Sequence, residues 1–435
     1  MAGTNWVLAD GRKLRLAAFF LFYFGQGIPV GISEVAIPIW VAANGGTDVQ
    51  VALLVGAAYL PWSFKFIPAA LMDRYAFLAM GRRRAWLIGA QFLMMGGFLV
   101  AALAAPSATD VSLLYWVILA IMGGAAIQDV AVDGLAVDIL PEEEQGTASS
   151  FMFGGQAVGA AVSGAIAGFA LQYWGASIAF LLFLPFVTGL LLWSILLLER
   201  RGERRLPWSR GEASPEVAAI APGDWWVILR TTLASLLKRD SLFAIAGSAS
   251  IRAAQGMLTA MWPLFAVAYL AYETSAYSSM VSTVSLVSSV LAIGVGAALT
   301  SMLGARRAAV TVALAHAALC LFMLGTPGLW SSVLVFVVLT FGKQHLSTLQ
   351  SISTNPIRMQ LSDKRVAATQ FTIYNSLANL PVTLGTMIFA AIGGMAAIRA
   401  QFWTIAGLAM IAAIAFLLLR VGNRHAAAEP VPEMD

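Results

Sequence analysis

The chain has 435 residues, of which 60% are hydrophobic and 11% charged, with a mean hydropathy of +0.81 and a formal net charge of +4. A soluble domain carries about 25% charged residues, so the composition excludes an ordinary water-soluble enzyme, and the modest basic excess does not indicate nucleic acid. One cysteine, Cys320, excludes an internal disulfide framework, and three histidines leave little material for a zinc site.

In chain order the apolar residues fall in twelve runs, near 15–41, 49–72, 85–105, 111–140, 146–171, 177–198, 241–269, 277–303, 308–325, 330–357, 363–392 and 397–420. Each is long enough to cross a bilayer core of about 30 Å as a helix. Helices are expected because every backbone amide in lipid needs a partner within the protein. The basic start, Arg12, Lys13 and Arg15, enters the first run without an early small-residue cleavage site, so no cleavable signal peptide is expected. With the N-terminus in the cytoplasm, 22 of the 26 lysines and arginines fall in cytoplasmic segments; Arg399 lies opposite, and Lys65, Arg252 and Lys343 lie within runs. That bias follows the positive-inside rule and predicts both termini in the cytoplasm.

The expected fold is all-α and integral to the membrane, with twelve transmembrane helices in two pseudo-symmetric six-helix halves. The predicted division is a first half over 1–198, a cytoplasmic linker over 199–240, a second half over 241–421 and a cytoplasmic tail over 422–435. The linker is rich in arginine and proline, and an interfacial helix is expected near Trp225 and Trp226. A regulatory or partner-binding role for it is the alternative. Two echoes point to a repeat: Gly81-Arg82-Arg83-Arg84 returns as Gly304-Ala305-Arg306-Arg307 after 223 residues, and 145–151 resembles 365–371 at an offset of 220.

Charge inside a span is costly, so each such residue should face a cavity or a partner. Glu34 lies in span 1, where it is a second proton site or a residue of a wet vestibule. Gly25-Gln26-Gly27-Ile28-Pro29 breaks the same span, as Pro61 and Pro68 break span 2 and Pro381 breaks span 11; such breaks are tolerated where a helix lines a cavity. Lys65 sits in span 2 at a depth similar to Asp133 in span 4. It is expected to pair with Asp133 or Asp129, which are four apart on one helix face. The pair is either a static lock or a protonation site, since neighbouring carboxylates resist being ionised together. Beyond span 2 comes a charged turn, Asp73, Arg74, Gly81, Arg82, Arg83 and Arg84, with Asp138 the expected carboxylate partner. Its alternative reading is plain topology. Gly155 with Gly159, and Gly164 with Gly168, predict close helix packing on span 5.

The second half carries Arg252 and Lys343 with no acid in its own spans. Either first-half acids cross the cavity to them or an anionic substrate does. Gln344 follows Lys343, and Trp262 beside Pro263 is a further cavity candidate. His316 reads as a hydrogen-bonded core residue.

With these residues the chain resembles the major facilitator superfamily. Asp73-Arg74 with Gly81-Arg82-Arg83 is similar to that superfamily's signature after helix 2, though Ala69 stands where glycine is usual and the six residues between Arg74 and Gly81 are more than usual. The longer turn resembles the branch of muropeptide permeases and acetyl-coenzyme A transporters. Gly27-Ile28-Pro29, Lys65, Leu71-Met72-Asp73-Arg74-Tyr75, Trp86, Gln128-Asp129, Asp133, Asp138 and Ala368-Thr369-Gln370-Phe371 extend the resemblance. Muropeptide permeases usually carry two further helices, which this sequence lacks; related siderophore permeases are similar to it in length. The antiporters' glycine-proline signature has no counterpart at Gly154-Gly155-Gln156, which implies uptake by symport.

The resulting expectation is a secondary transporter of the bacterial inner membrane, not an enzyme, taking up an amphipathic anionic solute with protons. Asp129, Asp133 and Glu34 are the proton candidates. Lys65, Arg252, Lys343, Gln344 and Trp262 are the substrate candidates, and Asp73, Arg74, Gly81, Arg82, Arg83 and Asp138 the gate. The expected partners are a small-molecule solute, protons and the lipid bilayer, with the protein a monomer and no cofactor, metal or nucleic acid. A siderophore or acyl-coenzyme A permease, or a proton-driven efflux transporter, is the alternative. No Gly-x-x-x-x-Gly-Lys-Ser/Thr loop is present for ATP. The one nucleophile and base pair an enzyme would have is Ser347 with His345.

Overall fold

The computed structural model describes residues 6–213, 236–361 and 367–420, together with 215, 230 and 234. The proposed helix at Trp225 and Trp226, the tail from 421 and the residues at 362–366 lie outside the described residues, as does the side chain of Asp73.

Twelve long helices are described. Those of the first half are α1 (Arg12–Gly31 continuing through Ile32–Ala36 to Ile37–Ala43), α2 (Asp48–Ser63 and Phe66–Arg74), α3 (Arg84–Ala104), α4 (Val111–Ile139), α5 (Glu142–Tyr173) and α6 (Gly175–Leu181 and Leu184–Leu196). Those of the second are α7 (Arg239–Leu270), α8 (Thr274–Leu303), α9 (Ala305–Gly325), α10 (Val333–Leu361), α11 (Ala367–Ala391) and α12 (Ile398–Leu417, entered through the 3-10 turn Gly394–Ala397). Ten of the twelve are long and apolar enough to span a membrane. The exceptions are α10 and α11, with 29 and 25 residues. Lys343, Gln344, His345 and Arg358 dilute the first, and Asn375 and Asn379 the second.

The two halves repeat one packing scheme. α1 packs on α5 as α7 packs on α11; α3 lies against α4 and α6 as α9 lies against α10 and α12; α2 meets α4 as α8 meets α10. Across the halves α5 meets α8, α2 meets α11, and the last part of α1 meets α7 and α8. Odd helices start, and even helices end, at one basic end of the bundle, with Arg12, Arg82–Arg84, Arg239, Arg306 and Arg307; Asp48, Gln172 and Glu273 mark the far end.

Lipid tails are as apolar as leucine, so association here relies on close packing rather than on the hydrophobic effect. The two glycine pairs of α5 divide that task. A Cβ at Gly155 or Gly159 would strike the α1 backbone at Phe20 and Phe24, whereas one at Gly164 or Gly168 would strike Ser282 and Ser278 of α8. One pair builds the first half and the other the joint between halves.

Of the predicted helix breaks only the one in α2 opens: α11 runs unbroken through Pro381, whose neighbours on α7 and α2 hold the helix together, and α1 stays helical through residues 25–29. Pro68 has no N–H for the Phe64 carbonyl, which bonds Ile67 N at 2.9 Å instead. The helix opens there and places Lys65 at the break. In α1, Pro29 is followed by one π-turn at Ile32–Ala36. Such turns insert a residue and occur often at functional positions. Glu34 sits within this one.

Candidate functional site

Midway along the first half, α1, α2 and α4 bring together five polar side chains. Lys65 Nζ lies 2.9 Å from Asp129 Oδ2, and Gln26 Nε2 donates to Asp129 Oδ1 at 2.8 Å. One turn along α4, Asp133 accepts the hydroxyl of Tyr23. Lys65 also stands 5.8 Å from the centre of the Trp62 ring. Of the two pairings open to Lys65, the structure forms the one with Asp129. Asp133 is left with a neutral partner.

Glu34 lies apart from this cluster, and its Oε2 accepts the Tyr59 hydroxyl at 2.5 Å. The cations whose charge reaches Glu34 are Arg252 and Lys343, both from the second half. Arg252 is held by neutral acceptors: Asn379 Oδ1 at 2.7 Å, Gln255 Oε1 at 3.1 Å and the Ala378 carbonyl at 3.2 Å. Lys343 has no hydrogen-bonded or ion-paired partner among the described residues; its ammonium stands 5.8 Å from the centre of the Trp262 ring.

Trp262 is 1% exposed. It gives its N–H to Thr340 at 2.8 Å and stacks on Phe336 at 5.3 Å. Buried and packed on Phe336 and Phe265, it has Lys343 as its one cationic neighbour among the described residues. Gln344 is half-buried beside it. His345 lies near Ser288, not in a pair with Ser347: Nδ1 is 3.3 Å from the Ser288 carbonyl. His316 bonds the Val312 carbonyl at 3.0 Å inside α9.

At the basic end the arginine turn is tied down. Arg82 and Arg83 reach Asp138 at 3.3 and 3.2 Å. Arg74 is exposed. The larger anchor is Glu199, whose carboxylate accepts the backbone N–H groups of Arg82, Arg83 and Arg84 at 2.9, 2.8 and 2.7 Å. These are unpaired donors at the start of α3, where a negative charge is favoured. Gly81 has φ +93, and a Cβ there would strike Glu199. Glu203 accepts the N–H of Glu199 and of Arg200 at 3.0 and 3.1 Å. Arg84 bonds the carbonyls of Arg204 and Arg205 at 2.7 and 2.6 Å. The N-terminal strand-like segment joins through Leu8 N to the Leu198 carbonyl at 2.9 Å. Arg15 meets Glu144 at 2.7 Å. The start of the segment read from composition as a polar linker is thus a folded knot on the first half.

Burial raises the Glu203 carboxyl to about 7, helped by the charge of Glu199, and burial raises Glu199 as well. A carboxyl raised in the fold keeps its proton where the unfolded chain has lost it. Its contribution is full below the ordinary glutamate range and is lost as pH rises towards about 7. We therefore expect residues 197–213 to resist limited proteolysis better near about pH 5 than about pH 8. Glu203→Gln, which keeps an oxygen for both N–H groups, should shrink that difference, leaving the smaller part that burial of Glu199 contributes. Equal pH dependence in both proteins is the contrary result.

The sequence profile of the Major Facilitator Superfamily matches residues 16–386. The chain belongs to the major facilitator superfamily. As a superfamily member it is a multi-pass membrane transporter and not an enzyme. It is 28% identical over 165 residues to anhydromuropeptide permease of Escherichia coli (strain K12), covering 38% of this chain and 33% of that protein. It is 30% identical over 159 residues to putative transporter AmpG 4 of Rickettsia felis, covering 35% and 37%. The matched stretch is thus about a third of each relative's length. The fold is shared with a crystal structure of nucleoside transporter NupG, with a TM-score of 0.68 at 14% identity over 93% of this chain and 100% of that one. Peptide transporter POT in complex with sulfate gives 0.69 at 14% identity, covering 95% and 96%. At these identities the likeness is one of fold.

Within this superfamily fold, four residues outside the sequence reading join the candidate site and gate: Tyr23, Tyr59, Gln26 and Glu199. The first two carry hydroxyls inside apolar runs, where periodicity reads them as core. Gln26 reads from sequence only as part of a predicted helix break, which α1 does not show. Glu199 sits among arginines, where a carboxylate reads as solvated.

Proposed function

We propose that this superfamily member is a proton-coupled importer of an amphipathic, anionic, muropeptide-like solute. It works by alternating access in a bacterial inner membrane, as a monomer, with the basic end and both termini in the cytoplasm. The observation that carries the reading is the imbalance between the halves. Asp129 is matched by Lys65, whereas Lys343 and Arg252 have no carboxylate bonded to them among the described residues. Unmatched buried cations are costly in a membrane, and an anionic group on the solute supplies the missing counter-charge. The relatives' name, anhydromuropeptide permease, supports the solute class.

In this reading Arg252, Lys343 and Gln344 contact the solute, with Lys65 at its other side and Trp262 positioning Lys343. Asp133, Asp129 and Glu34 bind the protons. Asp73, Arg74, Gly81, Arg82, Arg83 and Asp138 form the cytoplasmic gate, and 199–240 links half 1–198 to half 241–421. The distribution of lysine and arginine supports the orientation.

The test is uptake of a labelled anhydro-muropeptide into proteoliposomes, with an inward proton gradient and without. Accumulation above equilibrium under the gradient alone is expected. Equilibration at the same level in both would overturn proton coupling, and no entry at all would overturn the solute class.

A further inference from the structure

At the far end, two second-half helical segments lack a side-chain cap of their own. Neither Glu273 before α8 nor Gly393 before the Gly394–Ala397 turn caps the segment that follows it. Yet the first backbone N–H groups of a helix need acceptors. Both segments obtain one from the first half. Gln172, in the last turn of α5, accepts Ser275 N–H at 2.7 Å and donates to Glu273 Oε2 at 2.8 Å. Asp48, at the start of α2, accepts Met395 N–H at 2.6 Å.

The local sequence is arranged for this. Thr47 and Gln50 form a capping box on α2, with bonds of 3.3 and 2.8 Å, which frees the Asp48 carboxylate for the other half. Gly394 has φ +56, and a Cβ there would strike that carboxylate. Gln401 holds the receiving turn by donating to the Phe389 and Gly394 carbonyls at 2.9 and 3.0 Å. Asp48 therefore stands against the positive ends of two helical segments at once, one from each half.

We propose that Asp48 and Gln172 are the latch of the far gate. Each caps, from the first half, a segment that the second half leaves uncapped. Parting the far end breaks both caps, so they bias the transporter towards the far-closed state. The inference rests on the reading that the halves rock against one another.

The test uses the full chain in lipid nanodiscs, with spin labels at Asn44→Cys and Arg399→Cys, both exposed at the far end, and Cys320→Ser as background. One cap lost is expected to raise the ratio of parted to closed distances about fivefold, and both about tenfold or more. Asp48→Ala, Gln172→Ala and the double variant are compared with wild type. Gly394→Ala, which fills the seat of the carboxylate, provides an independent variant should the double fail to fold. Distances equal to wild type in Asp48→Ala, Gln172→Ala and Gly394→Ala would overturn the latch. The wild-type distances under an inward proton gradient report rocking itself: a gradient response without a variant response sinks the latch alone, and neither response sinks both.

Discussion

Replacing Asp133 with asparagine is expected to reduce gradient-driven accumulation to background while leaving solute exchange close to wild type. The two aspartates of α4 face the same interior but have different partners. Asp129 is matched by a lysine at 2.9 Å and a glutamine at 2.8 Å. Asp133 has the phenol of Tyr23 and no bonded cation among the described residues. A carboxylate beside another, with no cation of its own, is the one suited to take and release a proton. Asparagine retains an oxygen for the Tyr23 hydroxyl, so the packing survives, but it has no proton to trade. Parallel assays of uphill uptake and of counterflow exchange separate the two functions. Accumulation at wild-type levels would remove Asp133 from the coupling. A hydrogen bond to a charged group is worth about 1.5–3 kcal/mol, so Tyr23→Phe should slow uptake about tenfold or more without uncoupling it.

Much of this architecture can be read from the residues, for physical reasons that also mark where reading stops. Bilayer thickness imposes run lengths, and wherever a bound falls among the described residues the runs match the helices within about four residues. Pro61 and Pro68 announce the break in α2 because proline removes a donor wherever it stands. The π-turn at Ile32–Ala36 has no such compositional mark, so sequence places Glu34 in span 1 without showing that it lies on an irregular turn beside the other half. Pairing across long separations is also hidden: depth sets Lys65 level with Asp133, whereas the structure pairs it with Asp129 one turn away, and Glu199 reaches α3 from 115 residues away through backbone donors that carry no side-chain signal. Glycine spacing on α5 shows close packing, yet not that Gly155 and Gly159 serve α1 while Gly164 and Gly168 serve α8.

Replacing Lys65 with methionine is expected to cost more stability than any other single change in the central cluster. Methionine fills the volume of the lysine stem but leaves Asp129 buried with one neutral donor, Gln26. Removing one member of a buried ion pair costs about 3–5 kcal/mol, mostly from the stranded charge. Thermal unfolding in detergent should show a large fall in midpoint for Lys65→Met. Adding Asp129→Asn removes that charge and should recover most of the loss, because a neutral pair of similar volume is often as stable as the ionic one. Uptake distinguishes what the pair is for. A static lock needs only to be satisfied, so its neutral replacement would transport. A lysine that touches the anionic solute, and an aspartate that shares protons with Asp133, are both absent from the double variant, which is therefore expected to be folded and inactive. Restored uptake in that variant would assign Lys65 and Asp129 to holding α2 against α4, and would leave Arg252 and Lys343 as the cations that meet the solute.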